Sequence, residues 1–403
     1  MKRLVLVVVV AIGVVGFYYD RHSEEKYYLK NETLIRKVDR EAFLTQYHRG
    51  PSAWMKNQIE DDFRVFSTSG ISESQIETTY SQARSAMIVR YRIVGGRLYR
   101  YFPDGELISS VDNSTERALK TLLQLIRFKD LDFIISYYDG TPLPGVDFQC
   151  SAPILVPAKE KGLRGYPLIP DWRSLGEWWI SDIKNVQKSM STIPWEAKKN
   201  FAVWRGSVTN PIRIDLCRLA KLYPQYLEAK INVKAEDPIL QEKLLEEGLF
   251  GDRLSWNEFM ACKYLPIIDG VMCAAPALQW RLLSNSITFM QEMGGIQWFY
   301  AALEPFVHYI PVRRDLSDLI EKIKWAQSHD LECRRIADQS TSFALQNLMF
   351  DQVLLYLAFV LNEYSSLQTF DRIVLQNDPR WVDITQRKKI SCGPGYTPNP
   401  TPY

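Results

Sequence analysis

Residues 201–213 read FAVWRGSVTNPIR, the order of a strand, a turn and the start of a helix. Phe201 to Trp204 is a short apolar run suited to a buried strand, and Arg205-Gly206-Ser207 is a turn. Asn210 and Pro211 supply an N-cap and a first helical residue for a helix from Ile212 to Leu222. The free N–H groups of such a helix face back toward the turn and attract anions, and Arg205, Ser207, Thr209 and Arg213 add charge and hydroxyls around them. A diphosphate suits that chemistry. The same letters also describe an ordinary capped surface helix with two solvated arginines.

The pattern extends in both directions. Upstream, Asn31 to Tyr47 and Glu116 to Phe128 carry helical spacing, and Met87 to Val94 and Arg97 to Phe102 flank Gly95-Gly96, a hairpin signal. Leu131 to Tyr137 reads as a buried strand ending at Asp139-Gly140, and Pro153 to Pro157 is a further strand candidate. An aromatic loop, Tyr166 to Trp179, leads into a polar helix ending near Pro194. Downstream come strand Tyr264 to Ile268, turn Asp269-Gly270, helix Ala277 to Leu283, strands Ile287 to Met290 and Val307 to Val312, and helix Ser317 to Gln327. Strands alternating with helices predict an α/β fold with mostly parallel sheets, whose ligands gather at the carboxyl ends of strands. Phe343 to Tyr364 reads as one long apolar-striped helix, and Asn347, Asp351 and Gln352 mark it as core rather than a membrane span.

The chain has 403 residues, 46% of them hydrophobic, which suits two or three packed domains. Lys+Arg 49 against Asp+Glu 47 leaves a formal net charge of +2, without the basic surplus of a nucleic-acid binder. Six dispersed cysteines form no C-x-x-C, and the four histidines form no H-E-x-x-H, so a metal centre is not signalled. Lys2 and Arg3 precede Leu4 to Phe17, which has no polar side chain, and Tyr18, Tyr19 and Asp20 follow. Residues 1–19 are expected to be an uncleaved signal anchor, with a cleavable signal peptide as the alternative. That places the protein on a membrane, on the luminal side of the secretory pathway in a eukaryotic cell. Residues 20–195 and 196–367 are expected to be two α/β domains, and 368–403 a tail whose proline-rich end, Gly393 to Tyr403, lacks packing signals.

WRGSVTNPIR (Trp204 to Arg213), ACKYLPIIDG (Ala261 to Gly270), LLSNSITF (Leu282 to Phe289) and LEPFVHYIPVRRDLSDLIEKIKW (Leu303 to Trp325) resemble glycosyltransferase family 90 in order and spacing. The resemblance implies a GT-B-like fold, two Rossmann-like domains facing a cleft, with a UDP-sugar on the carboxyl-terminal one. It also implies an inverting transferase that needs no metal. The A-L-Q-W and S-N-S wording is similar to the bacterial lipopolysaccharide branch, so the expected acceptor is a cell-surface glycan or lipopolysaccharide and the expected sugar glucose or xylose. A protein serine is the alternative acceptor. A membrane-tethered nucleotide-sugar binder without catalysis is the alternative outside enzymes.

Carried over residue by residue, Arg205, Ser207 and Arg213 fall on the family's R-G-S-x-T-x-x-x-R pattern, and Ser207 and Arg213 are expected at the diphosphate. Val271, Met272, Cys273 and Ala274 correspond to the second donor loop and are expected to pass the nucleotide by backbone. Protein O-glucosyltransferases carry an arginine nine residues before the serine matching Ser286, and here that place is Ala277. Gln279, Trp280 or Arg281 is expected to replace it. Asp139 matches the aspartate of the family's R-D-Y-P motif, the catalytic base, although Tyr138 and Gly140 replace its neighbours and a plain Asp-Gly turn reads equally from the letters. Asp130 and Asp132 form a D-x-D pair, a rival metal reading weakened because both lead into a strand. Asp171 and Trp172 are weak cleft candidates, Trp178 and Trp179 suit a sugar face or a core, and His308 reads as a structural group.

Overall fold

The computed structural model describes residues 34–83, 87–103, 113–138, 140, 150–233, 235, 237–273, 277–370, 373 and 378–385. The expected anchor, Asp139, Ala274 and the proline-rich end lie outside them. The amino-terminal half runs α1 (Arg40–Arg49), α2 (Ala53–Phe63), α3 (Glu73–Ala83), β1 (Ile88–Val94), β2 (Arg97–Tyr101), α4 (Asn113–Leu125), β3 (Leu131–Ser136), β4 (Ile154–Leu155), β5 (Lys159–Glu160) and α5 (Glu177–Thr192). The carboxyl-terminal half runs β6 (Lys199–Gly206), α6 (Ile212–Leu222), β7 (Leu227–Ile231), α7 (Pro238–Glu246), α8 (Trp256–Met260), β8 (Cys262–Ile267), α9 (Ala277–Leu283), β9 (Ile287–Gln291), β10 (Gly295–Ile296), β11 (Ile310–Val312), α10 (Leu319–Ser328), α11 (Asp330–Asn347), α12 (Phe350–Leu367) and β12 (Trp381–Asp383).

The carboxyl-terminal sheet is five-stranded and wholly parallel, in the order β11-β9-β8-β6-β7. Its strands are buried on both faces: Val203, Leu265 and Ile267 join one core, Ala202, Trp204, Tyr264 and Ile268 the other. That explains why Tyr264 to Ile268 reads as an unbroken apolar run. The chain passes from β6 outward to β7, then returns across β6 to β8, so the topological switch point lies between β6 and β8. A crevice at their carboxyl ends is the expected ligand site of such a sheet.

The amino-terminal sheet corrects the expectation of a second mostly parallel sheet. Its order is β12-β2-β1-β3-β4, and only β3 and β4 run parallel. The Gly95-Gly96 hairpin, both glycines at positive φ, forces the antiparallel β1–β2 pair. Asp132 supplies a further reason for this register. It is fully buried on β3, takes a two-pronged ion pair from Arg90 of β1 at 2.8 Å and a third contact from Arg92 at 2.7 Å. Asp130 instead accepts the Gly95 N–H at 2.9 Å and caps the hairpin. Both carboxylates of the D-x-D pair are therefore committed to structure.

The carboxyl-terminal segments do not keep to the expected boundaries. The helix read as Phe343 to Tyr364 is two, α11 and α12, bent by 58° at Leu348 and Met349. Met349 adopts an extended conformation, and the Leu348 carbonyl accepts the Trp179 indole N–H at 2.6 Å, a tertiary bond with no local sequence signal. The α12 helix then packs back on the amino-terminal half, where Tyr364 Oη donates to the Pro153 carbonyl at 3.1 Å. Within the expected tail, β12 adds an edge strand to β2. Among the described residues no single helix is long and apolar enough to cross a membrane.

Candidate active site

The strand and helix of residues 201–213 form, but the strand starts earlier and continues through Arg205 and Gly206, which had read as turn, because both pair with β7. The Asn210 side chain accepts the Ile212 N–H at 3.2 Å and donates to the Gly270 carbonyl at 3.1 Å, so the cap also joins the turn after β6 to the turn after β8. Arg213 reinforces that junction. Its guanidinium donates to the carbonyls of Asp269 at 2.7 Å, Ser207 at 3.2 Å and Ile268 at 3.2 Å, and lies 5.8 Å from the Trp204 ring centre. A side chain at Gly270 would stand 3.0 Å from Arg213 Nη2 and 3.1 Å from the Cys273 carbonyl oxygen, a tight fit against both.

At the switch point a cleft of about 450 Å³ opens between the ends of β6 and β8 and the helices α5, α8 and α9. Gly206, Ser207, Arg213 and Arg281 form its polar end, and Leu254, Trp256, Phe259 and Trp280 give it an apolar wall. Trp280 anchors that wall, with Trp256 at 5.3 Å and Phe259 at 5.2 Å between ring centres.

Arg281 is the unusual residue here. It is only 2% exposed, its Nη1 donates to the Ala277 carbonyl at 3.1 Å, and it lies 4.2 Å over the Trp280 ring, yet its Nε has no partner. Burial, and then the positive charge of Arg213, pull its guanidinium well below its ordinary pKa. Among the described residues no carboxylate offsets it. A buried cation without a counterion is costly, and a bound anion removes the cost.

The remaining sequence candidates divide. Ser207 and Arg213 line the cleft. Arg205 also borders it, but its guanidinium bonds the Asp252 carbonyl at 2.9 Å and pairs with Glu228, so its charge is answered by protein groups. Thr209 is exposed beside Gly270, off the described cleft wall. Gln279 is corrected as a phosphate contact: it is fully buried, with Oε1 2.6 Å from Ser174 Oγ. Asp171 shares that hydroxyl at 2.5 Å and caps its own turn, so Asp171, Ser174 and Gln279 form a bridge between the two halves. Trp172 is half-buried under the Arg173 guanidinium and also lies off the wall. Of the three expected substitutes for the arginine absent at Ala277, only Arg281 brings charge to the cleft, one helical turn along the same face of α9.

Val271 is exposed, and Met272 and Cys273 are half-buried. Met272 packs against Gly140, where a side chain would stand 2.4 Å from Met272 Cγ. The loop after β8 therefore touches the residue that follows Asp139. Just upstream, the end of β3 is fixed by a buried network: Tyr137 Oη lies 3.0 Å from Tyr91 Oη, and Glu116 accepts from Tyr91 at 3.0 Å and Arg100 at 2.9 Å. His308 takes a structural role, its Nδ1 accepting the Glu304 N–H at 3.0 Å.

Several cleft residues escaped the sequence reading, Asp182 and Asn232 among them, together with the segment Arg253 to Trp256 and Phe259. Asp182 of α5 borders the cleft, and burial pushes its carboxyl up to about 6 against the pull of Arg173. Asn232 follows β7, a strand whose alternation of Leu227, Ala229 and Ile231 was a usable signal. Among the described residues no group of three His, Cys, Asp or Glu side chains is placed to hold a metal ion.

The model of glycosyl transferase family 90 matches residues 51–389. The chain belongs to that family. Among its relatives, protein O-glucosyltransferase 2 of Danio rerio is 27% identical over 342 residues, 78% of this chain and 64% of that protein. Protein O-glucosyltransferase 3 of Homo sapiens is 27% identical over 79% of this chain and 64% of its own length. Protein O-glucosyltransferase 1 of Rattus norvegicus is 27% identical over 78% of this chain and 80% of its length. The family 90 chain thus spans just under two thirds of the first two relatives. The solved structure of Anabaena Alr3699/HepE in complex with UDP-glucose aligns with 52% of this chain and 63% of that one, at 14% identity and a TM-score of 0.34. The α/β fold of this family 90 member holds two five-stranded sheets, the carboxyl-terminal one wholly parallel and the amino-terminal one mixed, a departure from two matched halves.

Proposed function

We propose that this family 90 chain is an inverting glycosyltransferase that takes glucose or xylose from a UDP-sugar. The observation that carries the reading is Arg281, a buried and uncompensated cation beside Arg213 at the switch point of a parallel sheet. A diphosphate supplies the missing negative charge, and the amino end of α6 adds backbone donors. As UDP leaves, these groups stabilise the charge that develops on its phosphate oxygens. Asp139 takes the proton of the attacking hydroxyl, which an inverting displacement requires on the face opposite the leaving group. No step draws on a metal.

A protein hydroxyl is the acceptor we favour, because the relatives named protein O-glucosyltransferases align over most of this chain. The glycan or lipopolysaccharide acceptor suggested by the sequence wording becomes the second arm of the test. The apolar segment Leu4 to Phe17 would hold the enzyme on a membrane. Incubation with radiolabelled UDP-glucose or UDP-xylose, a folded serine-bearing domain, and a lipo-oligosaccharide should label the domain. Label only in the lipid-linked glycan moves the acceptor to the other class. UDP binding without transfer or donor hydrolysis leaves a nucleotide-sugar-binding protein.

A further inference from the structure

Two cleft residues carry a buried side-chain atom without a hydrogen-bond partner among the described residues, and they lie at chemically different places. One is Arg281 Nε, a donor at the anionic end. The other is Asn232 Oδ1, an acceptor. Asn232 stands just past β7, and its backbone N–H donates to the Gly206 carbonyl at 3.0 Å, which fixes it beside the Gly206-Ser207 turn. A buried amide oxygen without a donor is a cost to the fold that a ligand N–H removes. Leu254, Trp256 and Phe259, which line the same cleft, are half-exposed apolar surfaces. A flat group that is apolar on its faces and carries N–H at its edge satisfies both.

We propose that Asn232 is a specificity residue for the nucleoside: its side-chain oxygen accepts the ring imide N–H of the uracil base while the base lies against the Leu254, Trp256 and Phe259 wall. This rests on the UDP-sugar reading above and refines it. The diphosphate end is adjacent through Gly206 and Ser207, so one nucleotide spans both orphan atoms. The ribose hydroxyls also donate hydrogen bonds, and the analogues below separate the two sources.

The test is calorimetric titration of the wild type, Asn232→Ala and Asn232→Ser with UDP, 3-methyl-UDP, which lacks the imide hydrogen, and 2′-deoxy-UDP. The wild type should bind 3-methyl-UDP at least about tenfold more weakly than UDP. Asn232→Ala should bind UDP about tenfold more weakly and no longer distinguish the two. Thermal stabilisation by inorganic pyrophosphate should be equal in wild type and variants, which establishes that the variants are folded with the phosphate end intact. Equal binding of UDP and 3-methyl-UDP by the wild type overturns the proposal, as does undiminished discrimination in both variants. A loss confined to 2′-deoxy-UDP assigns Asn232 to the ribose and overturns the base assignment. A wild type that binds no UDP removes the donor reading itself, a separate result.

Discussion

Arg213 Nε donates to the Asp269 carbonyl at 2.7 Å, so a single guanidinium on α6 holds the end of β8 against the turn after β6. Its other nitrogens reach Ser207 and Ile268, and its charge borders the cleft. The residue therefore joins two strand-end loops while its charge faces the cleft. Arg213→Lys keeps the charge but not the planar fork, and three carbonyls cannot be met from one ammonium in this geometry. UDP affinity should fall by about 1.5–3 kcal/mol and the melting temperature should also drop. Calorimetry and a thermal scan check both. Loss of affinity without loss of stability would make Arg213 a ligand contact alone.

Arg281 should behave in the opposite way in the empty protein. Its charge is buried without a carboxylate, so Arg281→Met removes a desolvation cost and fills similar volume beside Trp280. The variant should melt at a higher temperature than the wild type without ligand, yet gain less from added UDP or pyrophosphate. A lower melting temperature in the empty variant would mean that Arg281 serves the core and not an anion.

The strand, turn and helix start at residues 201–213 were legible because their signals are local: an apolar strand, a glycine, an Asn cap and a proline lie within thirteen consecutive residues. The β1–β2 hairpin and α9 were legible for the same reason. The break at Leu348 was not, since its cause is an indole reaching from Trp179. Nor was the fate of Gln279, turned to Ser174 by a bond between elements 105 residues apart in sequence. Asn232 and Asp182 were missed because a five-residue strand and a helix face acquire meaning only once the sheet order places their ends together. Pattern fixes elements; long-range partners decide which side chains reach the cleft.

The D-x-D pair predicts metal independence for a positive reason. Asp132 is held between Arg90 and Arg92, and Asp130 caps the Gly95 turn, so neither is available to bridge a diphosphate. Transfer should continue in excess EDTA. Abolition by EDTA with recovery on adding manganese would require other ligands. Asp132→Asn should lower stability rather than catalysis, because it leaves two buried arginines underpaired.

Lys198 makes stability depend on pH at the opposite end of the sheet. Its ammonium is buried, donates to the Ser284 carbonyl at 3.0 Å and Ser286 Oγ at 2.7 Å, and burial pulls its pKa from 10.5 down to about 7. The folded value lies below the unfolded one, so from about pH 7 to 10.5 the unfolded chain holds a proton that the folded chain lacks. This group therefore makes stability rise with pH across that window, by up to about 1.4 kcal/mol per unit, and has no slope below it. Lys198→Met should flatten the rise between pH 7 and 9 in denaturant titrations. An unchanged slope would show that Lys198 stays charged in the fold.

Asp139 carries the proposed chemistry, and one substitution separates its two readings. The strand before it ends on a rigid network through Tyr137, Tyr91 and Glu116, and the residue after it packs on Met272 of the loop after β8. A base in that segment needs such support, because proton transfer depends on placing the carboxylate within hydrogen-bond reach of the acceptor hydroxyl. Asp139→Asn preserves size and most hydrogen bonding but cannot accept the proton. The turnover number should fall at least about 100-fold while UDP affinity stays within a few-fold, the pattern of an interaction made only in the transition state. If Asp139 only shapes an Asp-Gly turn, asparagine serves as well, since both residues tolerate the same backbone angles. Transfer kinetics with the labelled donor and UDP titration of the same preparation decide between them. Near-normal turnover in the variant would remove Asp139 from the mechanism and direct the search for the base to Asp182, the remaining carboxylate on the described cleft wall, whose raised pKa would then place the acid limb of the rate profile near pH 6.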